Sequence, residues 1–80
     1  MRKYLLACRL IEKPNIFLYY KGLENNRGVS KALNVIIGLS PEEAVVLNEF
    51  AAKQLCQELN QDRDVLLKCG FTEFEIIYKY

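Results

Sequence analysis

The apolar residues of this chain change period once, and that change decides the fold class. Up to Ile37 they alternate in twos, as in strands with one buried side. After Ser40 they recur at about 3.6, as on one face of a helix, and after Gly70 they alternate in twos again. A chain patterned this way needs an antiparallel sheet with a helix laid over it.

Residues 3–12 read as a first strand, with Tyr4, Leu6, Cys8 and Leu10 on one side and Leu5, Ala7, Arg9 and Ile11 on the other. Glu12-Lys13-Pro14-Asn15 supplies a turn, because proline presets φ and asparagine tolerates tight backbone. The run Ile16-Phe17-Leu18-Tyr19-Tyr20-Lys21 is dense in aromatic and β-branched side chains and reads as the hairpin partner. A polar loop spans Gly22 to Ser30. Lys31 to Ile37 then reads as a third strand that Gly38 ends.

Ser40-Pro41-Glu42-Glu43 carries the signature of a capping box, with serine at the cap, proline at the first helical position and glutamate at the third. It predicts a helix over 41–59. On that helix Ala44, Leu47, Ala51, Ala52, Leu55 and Leu59 share the buried arc, while Glu49, Lys53, Gln57 and Asn60 lie opposite. Asp62 or Asp64 is placed to cap a short second helix that Gly70 terminates. Phe71 to Tyr80 alternates as a final strand, with Phe74, Ile76, Tyr78 and Tyr80 on one face. The expected fold is a single α+β domain over residues 1–80. Its antiparallel sheet has about four strands in β-β-β-α-β order, a short extra helix before the last strand, and one main helix on one face. The last strand has two possible places, beside the first or at the opposite edge.

Eighty residues hold one core and no more. Half the chain, 51%, is apolar, enough for that core, and 26% is charged, too much for a membrane protein. The apolar stretch Tyr4 to Cys8 is too short for a signal peptide, which needs about 7–15 residues. Three cysteines, odd in number and far apart, argue for free thiols in a reducing, cytoplasmic setting.

Catalytic chemistry has little to work with. There is no histidine, no Cys-x-x-Cys spacing and no glycine-rich phosphate loop. Asp62/Asp64 and Glu73/Glu75 read as a helix start and a wet strand face. The expectation is therefore a protein that is not an enzyme and uses no metal or cofactor.

Two binding surfaces are suggested instead. Val46 and Phe50 sit four apart on the predicted helix, flanking its buried arc, and Asn48 falls inside that arc. With Tyr19, Tyr20, Tyr78 and Tyr80 they are candidate anchors for a protein interface. The second surface comes from charge: residues 1–31 carry seven basic and two acidic side chains, +5, and residues 32–80 four and eight, −4. Arg9, Lys21, Arg27 and Lys31 would then face phosphate, beside a tyrosine that stacks on bases. The leading expectation is a small protein-binding module, self-associating, that docks on a larger protein and modulates or inhibits it. Small domains without a catalytic set are common among the inhibitors carried by phages and mobile elements. The alternative is binding of nucleic acid, a nucleotide or another phosphorylated ligand; no membrane partner is expected.

Overall fold

A computed structural model describes residues 2–24 and 34–79. Three strands open the chain, β1 (Lys3–Arg9), β2 (Phe17–Leu23) and β3 (Val35–Gly38). A 3-10 turn at Pro41–Glu43 follows, then helices α1 (Glu49–Asn60) and α2 (Arg63–Lys68), and strand β4 (Glu75–Lys79). The sheet runs β3-β2-β1-β4 with every pairing antiparallel. This is the α+β architecture expected, and the last strand takes its place beside the first.

The core lies on one face of the sheet. Leu6, Cys8, Leu18 and Tyr20 meet Ala52 and Leu59 of α1, Leu66 of α2 and Phe74. Leu6 and Leu59 are wholly enclosed, and each such side chain contributes roughly 1.5–3 kcal/mol by leaving water. Asp62 precedes α2 but its side chain makes no capping hydrogen bond, so backbone turns alone start that helix. Gly70 ends the segment at φ +85°, a left-handed conformation that costs glycine little.

The predicted helix over 41–59 is corrected. Pro41–Glu43 makes one 3-10 turn, the chain then runs extended, and α1 begins at Glu49. Ser40 Oγ does accept a backbone hydrogen bond, but from Glu42 at 3.3 Å, and its hydroxyl donates to the Glu42 carboxylate. That hydroxyl holds the Glu42 carboxyl below its ordinary range. Glu43, which would have closed the box, turns to Lys21 at 4.0 Å. The residue that caps α1 is Asn48, whose Oδ1 accepts from Ala51 N–H at 2.7 Å. Its place inside the apolar arc, an anomaly on a long helix, is what an N-cap requires.

The extended stretch wins because it has strand partners. Leu47 and Tyr4 exchange two backbone hydrogen bonds of 2.8 Å, and Val45 N–H donates to Tyr20 O at 3.0 Å. Residues 45–47 are thus wedged between β1 and β2. The direct β1–β2 ladder covers only Ala7–Arg9 against Phe17–Tyr19. A β-branched pair, Val45-Val46, favours this pairing over a helical turn.

The strand limits also move: β1 stops at Arg9 rather than at residue 12, and β2 runs to Leu23, into the stretch expected as a loop. The predicted third strand, 31–37, is seen as Val35–Gly38, and Lys31 to Leu33 lie outside the described residues. The last strand is shorter than 71–80 because Phe71 makes an isolated bridge to Leu10 and the ladder starts only at Glu75.

Candidate binding surface

Neither α1 nor α2 lies on the opposite face of the sheet, and the part of that face formed by the described residues follows from register. Residues directly opposite in antiparallel strands share a face. Ala7 pairs with Tyr19 and with Glu75, Arg9 with Phe17, and Leu5 with Ile77. Leu5 and Ala7, on this face, are nevertheless buried, at 3% and 0% exposed.

Val46 belongs to the same face. Its neighbours Val45 and Leu47 both pack against the core, so alternation along the extended stretch turns Val46 the other way. It is 45% exposed. Phe50, 78% exposed, stands instead on the outer side of α1 with Lys53, Gln54 and Gln57. The expectation that Val46 and Phe50 form one helical flank is therefore corrected: with the helix starting at Glu49, they lie on opposite sides of the molecule.

Aromatic and charged side chains of this face touch one another. The rings of Phe17 and Tyr19 stack with centroids 6.4 Å apart, and the Arg9 guanidinium lies over Phe17 at 5.8 Å. Arg9 also meets Glu75 at 3.4 Å. At the β3 side Lys21 meets Glu43 above Gly38, where an added Cβ would come within 2.5 Å of the Glu43 carboxylate. Both pairs are well exposed, and pairs of that kind contribute between nothing and about 1 kcal/mol. Arg9 Nε is buried without a hydrogen-bond partner.

Of the other residues singled out by sequence, Tyr20 is 7% exposed and packs in the core, which removes it from the surface set. Its register partner Ile37 faces α1, and strand parity turns Tyr20 with it. Tyr78 is 51% exposed and sets its ring edge-on to Tyr4 at 5.5 Å. Arg27, Lys31 and Tyr80 lie outside the described residues. Sequence reasoning missed Phe17 as a surface ring and Glu43 and Glu75 as the carboxylates facing Lys21 and Arg9. The two-residue spacing of Phe17, Tyr19 and Lys21 was the available signal.

Burial pushes Cys8 up to about 11 and raises Cys56 as well. Cys69 is exposed beside a shallow groove formed by Leu10, Lys13 and Lys68. No three potential metal-ligating side chains stand together among the described residues, and none of their helices is long and apolar enough to cross a membrane. Compared with family models, with curated proteins and with solved structures, the chain gives no match.

Proposed function

We propose that this protein is a non-catalytic binding module that docks through the side of its sheet opposite α1 onto a larger protein and modulates or blocks it. The observation that carries this reading is the layout of that face. Val46 and the half-buried Ile77 give that face exposed apolar surface, and the nearby cations Arg9 and Lys21 already face carboxylates. Apolar surface bordered by polar groups is the anatomy of a protein interface. Phosphate, by contrast, would have to displace or tolerate Glu75 and Glu43.

The test uses immobilised wild-type protein and a Val46→Asp variant, each exposed to nuclease-treated host lysate. A protein retained by the wild type and lost with the folded variant supports the reading. Equal retention by both, or none by either, overturns it.

A second reading has its own support. The stacked pair Phe17–Tyr19, with Arg9 over the ring, offers a platform for unpaired bases. It predicts salt-sensitive binding of single-stranded RNA or DNA, weakened by Arg9→Ala, Lys21→Ala, Arg27→Ala and Lys31→Ala. A flat titration at low salt removes it.

A further inference from the structure

Residues 44–48 lie extended between two stretches that are already helical. Pro41–Glu43 is a 3-10 turn, the form in which many helices begin, and Ser40 caps it. α1 begins at Glu49. Ala44 and Asn48, at either end of the extended stretch, have φ of −71° and −77°, which a helix also uses. Only ψ, at 144° and 170°, holds them out of one. Rotation within these five residues would therefore make one helix from Pro41 to Asn60.

The side chains suit that longer helix. Leu47, Ala51 and Leu55 follow at intervals of four, and Leu55 packs against the core, so Leu47 would stay on the buried side. Glu43 would leave Lys21, now 4.0 Å away, and close the capping box on Ser40. The sheet has a matching alternative. Its direct β1–β2 ladder ends at Ala7 with Tyr19, and the next pair in the same register is Leu6 with Tyr20. Both of those side chains already pack in the core beneath α1, so extending the ladder turns neither to the other face. Val45 enters at this step, its N–H donating to Tyr20 O at 3.0 Å.

We infer that residues 44–48 exchange between two forms. One is the extended form of this structure, bonded to Tyr4 and Tyr20. The other is a minor helical form, in which the helix starts at Pro41 and β1 zips on to β2 through Leu6 and Tyr20. The extended form dominates because it keeps three backbone hydrogen bonds, two between Leu47 and Tyr4 and one from Val45. It also keeps Asn48 as the cap on Ala51 at 2.7 Å, and it spares Val45 and Val46 a helical backbone that valine disfavours.

The exchange carries Val46 off the side of the sheet opposite α1. Docking there is then open only to the extended form, a consequence that rests on the function proposed above, whereas the exchange itself does not.

Relaxation dispersion on the isotope-labelled whole chain tests it. Residues 44–48, Tyr4, Leu6 and Tyr20 share one exchange process, and the minor form of 44–48 has the Cα shifts of a helix. That form holds about 0.1–10% of the molecules. Val45→Ala combined with Val46→Ala raises it roughly tenfold. Val46→Pro abolishes it, since proline breaks the helix and removes an N–H that makes no backbone hydrogen bond in the extended form. Circular dichroism reports whether each variant is folded, and the wild-type measurement decides if one is not. Absence of exchange in both the wild type and the double-alanine variant, minor-form shifts of extended or unfolded chain, or exchange indifferent to Val46→Pro overturns the inference.

Discussion

Asn60 does for Phe74 what a neighbouring strand would do: one carboxamide satisfies both the N–H and the C=O of that residue, at 2.8 and 3.0 Å. The clamp ties the end of α1 to the start of β4, with the Cys56 thiol also directed at Phe74 O at 3.2 Å. Loss of both hydrogen bonds in Asn60→Ala should cost about 1–3 kcal/mol in denaturant unfolding. Asn60→Asp should cost more at neutral pH, since a carboxylate oxygen then faces the Phe74 carbonyl. Part of that cost should return as the pH falls and the introduced carboxyl takes up a proton.

The start of α1 gives a second test. Asn48→Ala should destabilise the fold by about 1 kcal/mol, the usual worth of an N-cap. Ser40→Ala should cost clearly less, because that hydroxyl serves a single exposed 3-10 turn. Paired urea titrations of the two variants distinguish a helix beginning at Glu49 from one beginning at Pro41.

Phe50 and Phe74 should behave as opposites. Phe50 is 78% exposed and Phe74 3%. Phe50→Ala should shift stability by less than about 0.5 kcal/mol, whereas Phe74→Ala should cost roughly 3–5 kcal/mol. Thermal unfolding read at two wavelengths suffices.

Stability should fall with alkali through Cys8. Its thiol ionises near 9.0 when unfolded and at about 11 when folded, because burial disfavours the thiolate. Between those values the unfolded chain has given up the proton and the folded chain has kept it. Unfolding is therefore favoured as pH rises from 9 to 11, and the contribution is intact below 9. The loss should reach at most roughly 2–3 kcal/mol. Comparing Cys8→Ala with wild type over that range isolates it, as the variant lacks this part of the slope. Below pH 9 a thiol reagent should label Cys69 first, with Cys8 protected until the protein opens.

Gly70→Ala should cost about 1–2 kcal/mol although a Cβ there would meet nothing within 4 Å, because φ +85° strains any L side chain. Gly38→Ala tests the opposite case. Its backbone carries no such conformation, and the added methyl group would instead push apart Lys21 and Glu43. Its cost should be small, and spent on that ion pair.

The strands were legible in the sequence because a two-residue period has a local cause, alternation about a pleat. The start of α1 was not. Ser40-Pro41-Glu42-Glu43 is a genuine local helix signal, and it lost to backbone partners on Tyr4 and Tyr20 that lie far away in the chain. Parity alone placed Arg9, Tyr19 and Lys21 together. It could not choose between Tyr19 and Tyr20, since which side of β2 meets α1 depends on the pairing register. Asn60 was read as a solvated helix residue because a side chain that imitates a strand leaves no periodic trace.

The wedge of residues 45–47 sets how this sheet comes apart. Since Tyr4 and Leu47 hold each other through a matched pair of hydrogen bonds, neither amide can be freed alone. Their hydrogens should exchange with solvent at a common rate, slower than those of the exposed Pro14–Asn15 turn. A chain released at Leu47 would leave a gap about two strand spacings wide, near 10 Å, between the open ends of β1 and β2. The hairpin must close that gap or unravel, so this late segment acts as the keystone of strands that precede it.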